Sequence, residues 1–212
     1  MNETFKIDDS EAAAADGSVA ERILSAAYKV FMAHGFSGTT TDMIQVASGA
    51  SKSTIYRYFP SKEILFNAAL ESEFSNFLRT VREVDFKHLD IASFLAAFGL
   101  RFLTELLSPK GVDVCRLMIA ESQRFPRLGR MFYRVGPKPI ADIVETRLAE
   151  ACRRGEIYVR SPVVAAEHFI GMVRGDLHLR CLLGEKTPSD AQLQRFVAMT
   201  VEAFLAAYRA PG

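Results

Sequence analysis

Tryptophan is absent from the 212 residues, and only three cysteines occur, Cys115, Cys152 and Cys181. They are odd in number and widely spaced, with no C-x-x-C pair, so the sequence supports neither a disulfide framework nor a zinc site. They read as small buried hydrophobes of a reducing compartment; a redox-sensing thiol is the alternative and requires a depressed pKa. Charge of one sign is lacking too. The formal balance is +1, so no global field draws the chain to nucleic acid, and such a role must rest on local charge. No long hydrophobic run is present: the most apolar stretch, Ile91 to Leu107, is interrupted by Arg101 and Glu105 and is too short and too charged to span a bilayer. The first 17 residues hold Glu3, Asp8, Asp9, Glu11 and Asp16 with an alanine run, which excludes a signal peptide and reads as a flexible acidic tail. A cytoplasmic location is expected.

Catalytic motifs are equally scarce. The four histidines, His34, His88, His168 and His178, form no paired Glu-x-x-His of a di-iron bundle. There is no G-x-S-x-G elbow, no phosphate-cradling glycine loop and no H-E-x-x-H. Enzymatic activity, a cofactor and a metal are therefore not expected, and an all-α enzyme is a remote alternative.

What the chain does have is 49% apolar residues, 16 phenylalanines and helical periodicity throughout, which predicts an all-α protein. Thr39 to Phe66, TTTDMIQVASGASKSTIYRYFPSKEILF, reads as two short helices joined by a tight turn. Thr40 can cap a helix from Thr41, with Ile44 and Ala47 inward, until Ser48-Gly49-Ala50 breaks it. Gly49 supplies the positive φ that a sharp helix-to-helix corner needs. Ser51 then caps a second helix to Phe59 in which Ile55 and Phe59 face inward. That leaves Lys52 with Tyr56, Ser53 with Arg57, and Thr54 with Tyr58 as outward pairs four residues apart. Such a surface offers phosphate contacts from Lys, Ser, Thr and Tyr, and Arg57, Thr54 and Ser53 are placed to reach base edges. Pro60 stops the helix. Ser61 caps the next, where Lys62 sits in the first turn and can join backbone N–H groups in holding a phosphate. Between Ser18 and Phe66 the local charge is only +2.

Thr39-Thr40, Ile44, Gly49-Ala50-Ser51-Lys52 and Ile55-Tyr56-Arg57-Tyr58-Phe59-Pro60-Ser61-Lys62-Glu63 together resemble the TetR family of bacterial transcriptional regulators, closely from Ser18 to about Phe74. Upstream, Ser18 to Glu21 is a capping box, and Ile23, Ala26, Ala27, Val30 and Phe31 recur at helical spacing until His34-Gly35-Phe36. In the family this first helix packs across the helix-turn-helix pair. The family usually has Ala at the positions of Gln45 and Ser48, and Val at that of Ala50. The resemblance implies a three-helix DNA-binding domain over 18–78 and a larger helical ligand-binding and dimerisation domain over 79–212. Its DNA contacts fall on Thr40, Thr41, Ser51, Lys52, Ser53, Thr54, Tyr56, Arg57, Tyr58 and Lys62.

Downstream, Ile64, Leu65, Ala68, Ala69, Phe74, Phe77 and Leu78 predict one long connecting helix, and further helices fall at about 91–107, 113–124, 128–133, 138–153, 161–183 and 189–208. Ser161-Pro162 starts one of these, and Ser189 with Gln192 makes a capping box for the last. The last helix carries a wide apolar stripe from Leu193 to Tyr208, while the one before it has two apolar faces. The resemblance implies that this pair, about 162–208, docks on its own copy in a homodimer. Residues 117–126 and 175–180 resemble the regulatory domain of the family's efflux-repressor branch. A ligand cavity is expected among the middle helices at Phe98, Phe102, Met118, Glu121, Phe132, Phe169, Met172 and Asp176. Salt bridges from Glu121, Asp176 and His178 to Arg116, Arg174 or Arg180 are the alternative for the polar members. The function so implied is a repressor released from operator DNA by a small hydrophobic ligand, with an activator or a sensor of a metabolite or acyl signal as the alternative.

Overall fold

The computed structural model describes residues 9–83 and 89–208, with side chains from 17 onward apart from 76, 77 and 80–83. These residues form ten helices and no strand, as the periodicity predicts. In order they are α1 (Asp9–Gly38), α2 (Thr41–Ser48), α3 (Lys52–Tyr58), α4 (Lys62–Glu83), α5 (Ile91–Leu106), α6 (Pro109–Ser122), α7 (Pro126–Val135), α8 (Pro137–Arg153), α9 (Pro162–Leu182) and α10 (Asp190–Ala207).

α1 begins at Asp9, not at the Ser18 capping box, because the alanines from 12 to 15 propagate a helix through it. Residues 1–8 of the expected tail, and the side chain of Phe77, lie outside the described residues. The helix breaks where the sequence places its end, at Gly35 (φ 72°, ψ 171°). α6 starts four residues earlier than predicted. Ser108 accepts a hydrogen bond from the Gly111 N–H at 3.0 Å and Pro109 takes the first helical position, the same Ser-Pro start used by α9 at Ser161-Pro162. α9 is broken at Gly175, where one continuous helix was predicted. The last capping box forms as read, the Ser189 N–H donating to Gln192 Oε1 at 2.9 Å.

Two hydrophobic cores hold the helices together. The first gathers Ile23, Phe31 and Phe36 of α1, Ile44 of α2, Ile55 of α3 and Leu65, Phe66 and Leu70 of α4. It also takes in Val114 and Met118 of α6 and Leu128 of α7. The second joins α5, α8, α9 and α10 around Phe94, Phe98, Val144, Leu148, Phe169, Val197 and Phe204. α6 and α7 thus close the core of the helix-turn-helix half although they come later in the chain. Aromatic contacts reinforce that junction: Phe66 meets Phe31 and Phe36 edge-on at 4.9 and 5.2 Å, and Phe125 meets Phe36 at 4.9 Å. Each such pair contributes about 1 kcal/mol beyond area burial. No single helix among the described residues is long and apolar enough to cross a membrane. The one pair that passes together, α5 with α6, is bent by 67°, and the apolar faces of both helices are buried in the two cores.

Candidate nucleic-acid interface and ligand cavity

The corner between α2 and α3 is built from local rules. Thr40 accepts from the Met43 N–H at 3.3 Å, closing the start of α2. Gly49 lies in the left-handed region (φ 67°), and its N–H returns to Gln45 O at 2.9 Å. Ser51 caps α3 by accepting from the Thr54 N–H at 3.1 Å. Ile44 and Ile55 are fully buried and fix the crossing of the two helices. Ala47, expected inward, is exposed; Ser48, one i,i+4 step from Ile44, is buried instead. A serine is tolerated there because its hydroxyl accepts from the Ala50 N–H at 3.2 Å. The carbonyl of Ser48 is held by Arg22 Nε at 3.0 Å.

Two contacts between side chains lash the outer faces of the corner together. Lys52 pairs with Asp42 at 2.7 Å, and the hydroxyls of Tyr56 and Thr41 are 2.9 Å apart. The bond to Asp42, followed by its charge, holds the fully exposed Lys52 ammonium above the ordinary lysine pKa. Ser53 and Arg57 are exposed on the same helix, with the Arg57 guanidinium 4.8 Å from the ring centre of Tyr58 and Nη2 3.1 Å from its hydroxyl. Thr54 is half-buried, and its hydroxyl lies 2.8 Å from Ser51 Oγ, so it supports the cap before it reaches outward. Lys62 departs from the expected phosphate role. Its ammonium turns inward to donate to Phe36 O at 2.9 Å and Thr39 O at 3.0 Å, above the Phe36 ring at 4.6 Å. The negative ends of the carbonyls of Phe36 and Thr39, at the close of α1, supply the charge complement that a phosphate was expected to bring.

A cavity of about 220 Å³ opens between the two halves. Tyr28 of α1 and Leu70, Glu73 and Phe74 of α4 form one wall; α5 to α9 form the other through Phe102, Glu105, Lys110, Val114, Cys115, Phe132, Ile140, Ile170, Arg174 and His178. Burial, then the charges of Glu73, Asp113 and Glu105, pushes the Tyr28 phenol well above the usual tyrosine range, so it stays protonated. Burial, then Arg174, pushes His178 below the usual histidine value. Burial also raises the Cys115 thiol, with Arg174 opposing. That is the reverse of what a redox-sensing thiolate needs.

Of the eight residues expected around a ligand, Phe102 and Phe132 line this cavity. Phe98 and Phe169 lie fully buried in the second core, Phe98 stacked on Phe102 and Phe169 against Phe204. Met118 belongs to the first core. Glu121 is bonded instead to Ser37 of α1. Met172 and Asp176 are exposed on the outside of α9. The expected arginine bridges are replaced as well: Arg116 reaches Asp113 and the carbonyls of Cys181 and Leu182, and Arg180 pairs with Glu185. Tyr28, Glu73, Lys110 and Cys115 were not anticipated as lining residues; only the i,i+4 spacing of Ala27 and Phe31 marked that stretch of α1 as inward-facing. Among the described residues no cluster could hold a metal ion.

Residues 23–69 match the family model for bacterial regulatory proteins of the tetR family, and residues 93–210, more than half the chain, match the AefR-like transcriptional repressor C-terminal domain. The HTH-type transcriptional regulator RutR of Escherichia coli (strain K12) is 48% identical over 48 residues, so the match spans 23% of that relative's length and 23% of this chain. A TetR-family regulator from Mesorhizobium loti superposes with a TM-score of 0.82 at 28% identity, covering 92% of this chain and 98% of its own. The flavonoid-responsive regulator FrrA does so with 0.79 at 30% identity, covering 92% and 100%. With both halves so matched, the chain belongs to the TetR family of bacterial DNA-binding transcriptional regulators.

Proposed function

We propose that this protein is a homodimeric repressor whose α3 enters the major groove and whose grip on its operator is released by a small apolar ligand in the interhelical cavity. The observation that carries this reading is the composition of the cavity wall. Tyr28, Leu70, Glu73 and Phe74 come from helices that frame the helix-turn-helix, so a molecule seated there touches the DNA-reading half and the C-terminal half at once. A ligand that fits only one arrangement of α4 against α6 and α9 shifts the population toward it, changing the spacing of two recognition helices that must match half-sites about a helical turn or more apart. Effector and operator then weaken each other by the same factor. FrrA is flavonoid-responsive; that property is its own, and it supports an aromatic effector here.

The dimer is assigned to α9 and α10. Val164 and Met172 before the Gly175 break, Leu179 after it and Leu183 just past the end of α9 are exposed, as is Met199 on α10. An exposed apolar surface of this kind is what a second copy covers in an isologous contact. Protein–DNA contact is assigned to Lys52, Ser53, Thr54, Tyr56 and Arg57 with Thr40, Thr41 and Ser51 at the helix starts, in the compartment that holds the chromosome.

Selection of bound fragments from the source genome by the purified protein tests this reading, with the Lys52→Ala/Tyr56→Ala double mutant in parallel. Recovery of a palindromic site by the parent alone is the expected result. No enrichment at low salt from a folded dimer would return the protein to an adaptor or enzyme. Thr54→Ala and Arg57→Ala are expected to change which site is selected, whereas loss of a phosphate contact lowers affinity for all sites.

A further inference from the structure

Two residues of the cavity wall each carry a buried polar side-chain atom that no described residue hydrogen-bonds, the Tyr28 hydroxyl and His178 Nε2. They belong to opposite walls, one on α1 and one on α9. The rest of the lining is mostly carbon, and its two carboxylates, Glu73 and Glu105, are balanced by two cations, Lys110 and Arg174. Lys110 is already engaged, pairing with Glu73 and lying 5.0 Å from the Tyr28 ring centre. A buried donor or acceptor left unmet is costly, so each of these two calls for a partner that the described residues do not supply.

We infer that the effector is an uncharged, compact aromatic molecule carrying two hydroxyl or carbonyl groups, one received by Tyr28 and the other by His178. This rests on the ligand-released reading above and gives that ligand its chemistry. Balanced wall charges disfavour an ion of either sign, because an added charge leaves its countercharge outside. The size suits a small ring system: an apolar cavity of about 150 Å³ accommodates one benzene, so about 220 Å³ suits a fused or substituted pair of rings. Tyr28, kept protonated by burial and by its acidic neighbours, is a donor across the physiological range. The neutral imidazole of His178 offers either one donor or one acceptor at Nε2. Since Tyr28 moves with α1, the ligand that satisfies both atoms ties α1 to α9 at a fixed distance.

The test uses the full-length protein with 2,7-dihydroxynaphthalene, naphthalene and decanoate as probes. Binding is read by isothermal titration calorimetry, and decanoate is scored as a competitor. The diol is expected to bind about tenfold or more tightly than naphthalene. Tyr28→Phe and His178→Leu are each expected to remove most of that advantage while changing naphthalene binding less than twofold. Tyr28→Phe discards an unmet hydroxyl and keeps the ring, so its unliganded melting temperature holds or rises, which separates lost recognition from lost folding. Equal affinity for the diol and naphthalene, a diol preference that survives both substitutions, or displacement of the diol by decanoate at lower concentration overturns the inference. The operator fragments recovered above supply the second readout. Decanoate dissociating them while the diol does nothing leaves the ligand-released reading intact and ends this inference. A Tyr28- and His178-dependent diol complex that leaves DNA binding unchanged keeps the ligand chemistry and ends the release mechanism.

Discussion

Ser37 and Glu121 meet through two hydrogen bonds, the Ser37 backbone N–H to Oε1 at 3.1 Å and its hydroxyl to Oε2 at 3.0 Å. They join the final turn of α1 to α6, the helix that also presents Val114 and Cys115 to the cavity. The junction depends on Gly35: at its φ of 72° and ψ of 171° a side chain is strained, and a Cβ there would lie 2.9 Å from Glu121 Oε1. Gly35→Ala is therefore expected to destabilise the protein by about 1–3 kcal/mol in urea melts. Adding Glu121→Ala removes the contact but not the backbone strain, so the double variant should cost less than the two single costs added together. Strict additivity would assign the whole effect to the backbone.

The pair Lys52 and Asp42 sets a competition at the DNA surface. A phosphate that takes Lys52 must draw it from a carboxylate 2.7 Å away. Asp42→Asn is expected to raise affinity for every DNA sequence by a few-fold, since it removes a like charge near the phosphate and frees the ammonium. Lys52→Ala is expected to weaken all sequences and to lower the slope of log affinity against log salt by about one unit, the signature of one lost phosphate contact. An unchanged slope would place Lys52 off the DNA backbone.

Lys62 provides the opposite case. Lys62→Met keeps the aliphatic stem over Phe36 and removes the donors that satisfy Phe36 O and Thr39 O. Hydrogen bonds from charged donors to such carbonyls contribute about 1.5–3 kcal/mol each when well buried; for this half-buried ammonium a total loss of about 1–3 kcal/mol is expected. The salt dependence of DNA binding should not change. A lost phosphate unit of slope in this variant would restore the DNA role expected from sequence.

What the sequence made legible was local. Thr40, Gly49, Ser51 and Ser61 act through the three or four residues beside them, so their caps and the turn could be read without knowing the fold. The Ser108-Pro109 start of α6 carries the same signal as Ser161-Pro162, so its true boundary is legible in the sequence. Lys62, Glu121 and Met118 are not legible in this way. Each is partnered by residues far away in the chain: Phe36 and Thr39 for Lys62, Ser37 for Glu121, and the α1 to α4 core for Met118. Periodicity shows which face of a helix is apolar and is silent on what covers it, so it does not distinguish Met172, exposed on the outer face of α9, from a cavity residue.

His178 makes the cavity sensitive to pH, and the sign follows from its surroundings. Burial first, and then the Arg174 charge, hold its pKa below the ordinary 6.5 in the folded protein. Above about pH 6.5 the imidazole is neutral in both the folded and unfolded states, and the full stability is present. As pH falls below that value the unfolded chain binds a proton that the native site refuses, so stability declines until the native pKa is reached, after which it is level. The carboxylates titrate lower and contribute their own acid loss, so the informative quantity is a difference. The melting temperature of the parent minus that of His178→Gln is expected to fall between pH 7.5 and 5.0, because glutamine has nothing to protonate. A flat difference would mean that His178 is as readily protonated in the cavity as in water. In that case a neutral imidazole would not be waiting for the ligand at low pH, and binding of the diol should weaken on acidification near the ordinary histidine pKa of 6.5 and not below it.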